Sequence, residues 1–462
     1  MQRFRLLLAI SAGKILIGLS RLFGNQGSNF PGKIARHICP QLLSRLSQNI
    51  NMGIIVVAGT NGKTTTSNMI AAILRTQGYS VVHNRAGANM LPGISTAFVQ
   101  STNITGSRRF DYALLETDEA TVPLLFKEVK VSNLLLTNFF RDQLDRYGEL
   151  DRIVGLIKKS LAGHSVELLL NGDDPIMMYF AIEKELHCHY YGFNKTSYDS
   201  HESMESREGR YCINCGQELV YDYYHYSQLG NYSCPACGSH RPQMEFVGSD
   251  LNLEDGIKLQ VNDFYVTSPY RGFYNAYNVL AAASLARMLG IKPAAIQHAI
   301  WNYRPRAGRM EEFHIGDKRA VLILVKNPTG LNQSLSAVTS DPKPKNIFFA
   351  LNDNPADGRD VSWIWDADLE ILNFAGSFIE TLVCSGIRSG DIALRFKYSG
   401  LPAEQITIEP DLEKGIACCL QGRGKISYIL STYTALFACQ KILFNLEKRA
   451  AKLPARQMAS GQ

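Results

Sequence analysis

Short runs of β-branched and leucine-rich residues recur along this chain, and each is followed by a polar, glycine-bearing loop. Residues 54–57 (I-I-V-V) suit a strand buried on both faces. Gly59 and Gly62 interrupt that run, and residues 68–74 read as helical. Further strands are expected at 80–83, 112–115, 131–137 and 166–170, each ending in a polar loop. Strand, loop and helix repeat at a spacing of roughly 30 residues, which predicts a doubly wound parallel sheet. Such a sheet gathers its ligands at the carboxyl ends of its strands. From about residue 312 a second α/β unit begins, with strands expected at 320–325, 347–351, 381–384 and 426–430. The expected organisation is a helical segment over 1–49, a central domain over 50–311, a smaller domain over 312–447 and a loose polar tail over 448–462.

The first strand leads into G-T-N-G-K-T, and this stretch carries the strongest chemical signal. A strand, a glycine turn and a helix start form a phosphate cradle: backbone N–H groups face the anion and the helix dipole favours its charge. The candidate ATP-binding residues here are Gly59, Thr60, Asn61, Gly62, Lys63, Thr64 and Thr65. Lys63 would reach the β- and γ-phosphates, and the Thr64 hydroxyl would ligate Mg²⁺. Val57 stands where the common P-loop has its first glycine, so the match is to the shorter motif. Glu116 ends another strand and is followed by Thr117, Asp118 and Glu119. An acid at a strand end is the expected second ligand of Mg²⁺, which makes Glu116 the first choice. The alternative is that these acids cap the helix begun by Thr121, Val122 and Pro123, and it applies best to Asp118 and Glu119.

Composition narrows the class. Hydrophobic residues make up 45% of 462 and charged residues 19%, a globular balance. The net charge of +6 suits phosphate ligands or an anionic surface and is too small to argue for nucleic acid. Four of the ten cysteines form C-I-N-C and C-P-A-C pairs, each followed by glycine. Cys212, Cys215, Cys234 and Cys237 therefore read as a structural zinc ribbon inserted at about 208–242, with no open catalytic position. Glu218, Asp222 and Glu245 flank it, so no nucleic-acid partner is expected. The other six cysteines suit reduced thiols in a cytoplasm. Residues 1–23 mix apolar residues with Arg3, Arg5, Lys14 and Arg21. They read as a helix packed on its own domain, or as a basic amphipathic helix peripheral to the inner face of a membrane.

Taken in order, G-T-N-G-K-T, T-N-x-x-x-D-x-x-D at 137–145, N-x-D-D at 171–174, G-F-Y-N-A-Y-N at 272–278 and G-R-M-E at 308–311 resemble the Mur ligase superfamily. The resemblance implies an α/β chain: a Mur-ligase-like P-loop central domain carrying the ribbon, then a Rossmann-like C-terminal domain. It implies amide-bond formation through ATP and an acyl phosphate. It places Asn275 and Asn278 near the nucleotide and Arg309 near the γ-phosphate. Gln143, Tyr274 and the reduced K-N-P at 326–328 depart from the amino-acid-adding members. The ribbon, K-N-P-T-G and N-D-N-x-A-D-G-R-D at 352–360 look like the MurT branch. By that resemblance the chain works with a GatD-like class I glutaminase and amidates the D-glutamate α-carboxylate of lipid II to D-isoglutamine. Lys63, Glu116 and Arg309 are then the catalytic candidates, and Asp360 would complete the partner's catalytic triad. No cysteine lies in a G-x-C-x-G elbow, so ammonia must be imported. A stand-alone amino-acid ligase of the Mur or folylpolyglutamate type is the alternative, and a ribbon scaffold without chemistry is a third reading.

Overall fold

In the computed structural model, which describes residues 2–22, 29–85, 88–140, 150–181, 186–202, 209–304, 308–339, 343–374 and 378–459, the alternating pattern becomes two open sheets and a separate two-stranded ribbon. The larger sheet has nine strands. Their order is Phe264–Ser268, Ile257–Val261, Phe246–Asn252, His187–Phe193, Glu167–Asn171, Asn133–Leu136, Ile50–Ala58, Phe110–Glu116 and Val81–His83. Strand Ile50–Ala58 lies inside the sheet, third from one edge, with Val57 level with Glu116 on one side and Leu135 on the other. The chain crosses here to the opposite half of the sheet, so the loop after Ala58 opens at a topological switch point.

Alternation along that strand explains its position. Ile54, Val56 and Ala58 enter one hydrophobic core, while Ile55 and Val57 enter the other. Helices Lys63–Thr76 and Phe273–Met288 cover the second face. Helices Gln2–Leu22, Phe30–Ile38, Leu91–Ser101 and Leu150–Leu161 cover the first. Among the described residues no helix is long and apolar enough to cross a membrane.

The sheet is not parallel throughout. Eight of the nine strands run in one direction, but Ile257–Val261 runs antiparallel to both its neighbours, Phe246–Asn252 and Phe264–Ser268. Asn262, at φ 48°, and Asp263 join Val261 to its partner Phe264, and a two-residue turn of this kind connects only antiparallel strands. The second sheet has the order Arg309–Ile315, Lys318–Leu324, Ile426–Ser431, Lys345–Ala350, Ile379–Ser385 and Ile406–Ile408, antiparallel only at its first pair. Arg309, counted from the sequence with the central unit, lies on the first strand of this second sheet. The last helix, Tyr433–Ala459, takes in most of the stretch expected as a loose tail. Ala, Lys and Arg dominate residues 448–459, and all are good helix formers.

Candidate active site

The turn after Ala58 needs its glycines. Gly59 and Gly62 have φ of +119° and +84°, and a Cβ on Gly62 would stand 2.1 Å from Asn278 Oδ1. Neighbouring backbone and side chains fix the loop. Thr60 N donates to Asn138 O (2.8 Å) and Asn61 N to Asn138 Oδ1 (2.9 Å), while Thr137 Oγ1 donates to Asn61 O (2.7 Å). Helix Lys63–Thr76 starts directly from Gly62, so the N–H groups of its first turn face the cleft end of the sheet.

The charged groups meet at this helix start. Lys63 Nζ lies 3.3 Å from Glu119 Oε1 and donates to the carbonyls of Thr60 (3.2 Å) and Gly59. Thr64 Oγ1 donates to Glu116 Oε1 (2.8 Å) and accepts from Arg309 NH2 at 3.3 Å, across the two sheets. Glu116 is held from behind: its N–H donates to Asn84 Oδ1 and its carbonyl accepts from Asn84 Nδ2. Glu116 is 2% exposed, and its Oε2 has no hydrogen-bond partner among the described residues. Burial pushes the Glu116 pKa up, against the Thr64 hydrogen bond and the nearby cations Lys63, Arg309 and Lys326. A buried carboxylate oxygen without a donor, beside a threonine hydroxyl, suits a hard cation such as Mg²⁺. Burial likewise raises Glu119, and Lys63 opposes the rise.

A cleft runs from this cluster between the two sheets. The central unit contributes Asn61, Gly62, Thr65, Tyr274, Asn275 and Asn278 to its lining; the second unit contributes Arg309, Leu324, Lys326 and Asn327. Asn278 Nδ2 donates to Asn275 Oδ1 (3.0 Å), and Thr66 Oγ1 to Asn278 Oδ1 (3.3 Å), which ties the Phe273–Met288 helix to the cradle. Asn61 and Asn327 face each other amide to amide at 3.1 and 3.5 Å.

The structure thus brings Gly59, Thr60, Asn61, Gly62, Lys63, Thr64, Thr65, Glu116, Asn275, Asn278 and Arg309 to one place. Asp118 accepts from Ala120 N in the turn before helix Val122–Phe126, which has no side-chain cap, and Glu119 turns to Lys63, so neither acid caps that helix through its side chain. Asp142, Gln143 and Asp145 lie outside the described residues. Asp173 and Asp174 are structural. Asp173 Oδ1 accepts from Arg241 Nε (2.6 Å), and its Oδ2 from Tyr277 OH (2.7 Å) and Phe193 N (2.8 Å). Asp174, which burial raises to about 6, accepts from Phe139 N, Ile176 N and Gln228 Nε2.

Those two acids anchor the ribbon. Strands Val220–Tyr226 and Leu229–Ser233 pair as a hairpin beyond which the four cysteines converge, their sulfurs within 4.8 Å of one another. Gly216 and Gly238, both at positive φ, close the two knuckles. Sulfurs on a tetrahedral zinc with Zn–S of about 2.3 Å lie roughly 3.8 Å apart. The Cys212–Cys237 and Cys215–Cys234 separations are 3.5 Å, so the donor set fits. The hairpin also reaches the cleft, where Tyr226 lines the wall beside Phe140. Gln228 donates to Phe139 O (2.6 Å), and Phe140 N and O bond the Thr60 hydroxyl. Tyr226 and Gln228 carry no motif, and only the fold reveals them. Glu119, Lys326 and Asn327 stood next to recognised motifs and were within reach of the sequence.

Asp360 lies apart from this cleft. It is exposed in the loop after strand Lys345–Ala350, and its Oδ1 accepts from Ser362 N at 2.8 Å. Asp357, by contrast, is buried and holds the Thr434 backbone N–H (2.7 Å) and hydroxyl.

Family models match two parts of the chain: the Mur ligase middle domain over residues 57–286 and the MurT ligase C-terminal domain over 324–436. The chain is 38% identical over 429 residues to the lipid II isoglutaminyl synthase (glutamine-hydrolyzing) subunit MurT of Staphylococcus aureus strain COL, covering 93% of this chain and 95% of that protein. It is 35% identical over 430 residues to the MurT subunit of Streptococcus pneumoniae strain ATCC BAA-255 / R6, covering 92% and 94%. Among solved structures, a pseudomurein peptide ligase type C from Methanothermus fervidus superposes with a TM-score of 0.66 at 22% identity, covering 86% of this chain and 79% of that one. The MurF ligase of Thermotoga maritima in complex with ADP gives 0.59 at 15%, covering 89% and 83%. Fold and cradle together define a ligase of the Mur type. Within that class, the chain belongs to the MurT family.

Proposed function

We propose that this chain is the synthetase subunit of a glutamine-dependent enzyme that amidates the D-glutamate α-carboxylate of lipid II, giving D-isoglutamine. The observation that carries this reading is similarity to MurT subunits along nearly the whole chain. The geometry supports it from within. ATP would lie in the cleft between the sheets, its phosphates against the loop from Gly59 to Thr65. Lys63 would exchange its contacts with Glu119 and the loop carbonyls for the β- and γ-phosphates. Thr64 and Glu116 would hold Mg²⁺, which when bound neutralises charge across those phosphates. Arg309 stands opposite, suited to the charge that develops at the γ-phosphoryl group.

The chemistry has two steps. A carboxylate oxygen of the substrate attacks the γ-phosphorus and ADP leaves, giving an acyl phosphate. Ammonia then attacks the acyl carbon, loses a proton and expels phosphate, giving the amide. The four thiolates would bind zinc as a closed structural site. The ammonia would come from a GatD-like glutaminase. Asp360, exposed beyond its glycine turn and followed by half-buried Trp363 and exposed Trp365, would orient the partner's catalytic histidine.

The test supplies ATP, Mg²⁺ and purified lipid II with either ammonium or a free amino acid. Phosphate release coupled to amidation by ammonium is the expected result. Ligation of the amino acid instead, or no lipid-dependent turnover, would overturn the reading.

A further inference from the structure

The helix Gln2–Leu22 has two opposite apolar faces, and among the described residues only one is packed against the protein. Ala9, Ile10 and Ile17 are buried, and Gly13 lies so close to the helix Leu91–Ser101 that a Cβ would stand 2.8 Å from Val99 Cγ1. At about 100° per residue, Phe4, Leu8, Ile15, Leu19 and Leu22 fall within roughly 60° of one another on the far side. They are 65, 46, 63, 45 and 82% exposed. From Phe4 to Leu22 this stripe runs about 27 Å along the helix.

Charge frames the stripe. Arg3, Lys14 and Arg21 fall along one edge, within roughly 20° of one another, and Arg5 lies on the other. The helix contains no acidic residue. Arg108 adds to the basic edge: burial depresses the Lys14 pKa first, and the nearby Arg108 charge depresses it further. The loop that carries Arg108 abuts the helix: a Cβ on Gly106 would meet Ile10 Cδ1 at 2.8 Å. That loop also exposes Ile104 (66%).

A second copy of this helix is a poor occupant for the stripe. Facing stripes would oppose Arg3, Arg5, Lys14 and Arg21 to one another with no acid to pair them. A surface of acyl chains beneath anionic headgroups satisfies both components at once. The helix is too polar at its edges to span a bilayer, and its buried face is committed to the protein.

We propose that the helix Gln2–Leu22 is an in-plane membrane anchor, its stripe seated at the headgroup–acyl boundary and its basic edges on lipid phosphates. The inference does not depend on the proposed reaction. The test is co-sedimentation of the full chain with vesicles of phosphatidylcholine, alone or mixed with phosphatidylglycerol, containing no lipid II. Binding is expected only to the mixed vesicles and should weaken with salt. Leu8→Glu/Leu19→Glu should lower it roughly tenfold or more, and Arg3→Glu/Arg21→Glu likewise. All four side chains are exposed, so unchanged thermal melts are expected; if the leucine pair unfolds, the arginine pair carries the test. Absence of binding to mixed vesicles, equal binding to both kinds, or unchanged binding by the folded variants would overturn the proposal. So would a wild-type dimer that Leu8→Glu/Leu19→Glu dissociates, because the stripe would then be buried between copies.

Discussion

The phosphate cradle and the Asp360 loop each follow the carboxyl end of an interior strand, one per sheet, and they are built in opposite ways. In the cradle the charges are buried and engaged within the chain: Lys63 with Glu119, and Glu116 with Thr64 and, through it, Arg309. In the second loop Asp357 is buried and grips Thr434, while Asp360 lies at the surface. On the proposed reading, a cradle assembled in advance would serve the synthetase step within this chain, and an acid held outward on a braced loop would serve a step completed on the partner.

The contrast breaks most sharply at Lys63. Lys63→Ala should lower ATP-dependent phosphate release by a factor on the order of 10³ or more, with glutamine or ammonium alike. It also leaves Glu119 buried without its cation, so the thermal midpoint should fall. Adding Glu119→Gln should restore the midpoint but not the turnover. Recovery of turnover would show that the buried pair, and not the phosphate contact, was being measured.

Asp360→Asn tests the other side. Glutamine-driven amidation in the complex should fall by a factor on the order of 10² or more, because an amide cannot orient an imidazole as a carboxylate does. Activity with ammonium should stay near wild type. A parallel loss with both nitrogen sources would place Asp360 with the cradle and erase the distinction.

A smaller effect links the cradle to the ribbon. Cys234→Ser, or removal of metal with a chelator, should weaken binding of a fluorescent ATP analogue by roughly tenfold. The hairpin that carries Tyr226 and Gln228 would lose its fixed end, and Thr60 would lose support through Phe140. Unchanged affinity in a folded, metal-free protein would separate ribbon from cradle.

The mildest expectation concerns pH. Burial raises the Asp174 pKa from 3.8 to about 6, so the folded chain keeps a proton there that the unfolded chain gives up. Stability from this group is fully present below pH about 4 and is lost as pH rises through 6. Asp174→Asn should flatten that slope in pH-dependent denaturant melts.

Much of this was legible in the sequence because the chemistry is local. G-T-N-G-K-T shapes its turn with its own backbone, so its glycines and Lys63 are legible wherever the chain goes next. The cysteine pairs likewise carry their own spacing. Strands in the middle of each sheet were visible as continuous apolar runs, since both their faces are buried. The antiparallel edge was not. Phe246–Asn252 and Phe264–Ser268 alternate burial and contain glycine, serine and threonine, so no apolar run marks them. Arg309–Ile315 was hidden as well, since only Met310 and Phe313 are buried there, among polar and half-exposed positions. Glu119 read as a cap because capping acids and charge-pairing acids look alike until Lys63 is brought to them. Gln228 lies 54 residues beyond Asp174, and only the docked ribbon makes them neighbours.

The Asn61–Asn327 contact gives the two halves of the molecule a particular kind of latch. Both groups are neutral, so closing it desolvates no charge and opening it strands none. Two such hydrogen bonds contribute about 1 kcal/mol each, within a few multiples of thermal energy. Parting the lobes would also draw Arg309 and Lys326 away from Glu116, so this amide pair is the uncharged part of a charged seam. A ligand lying across the seam, touching Asn61 from one lobe and Lys326 from the other, becomes the stronger tie. In calorimetry its arrival should turn two separable unfolding events into one.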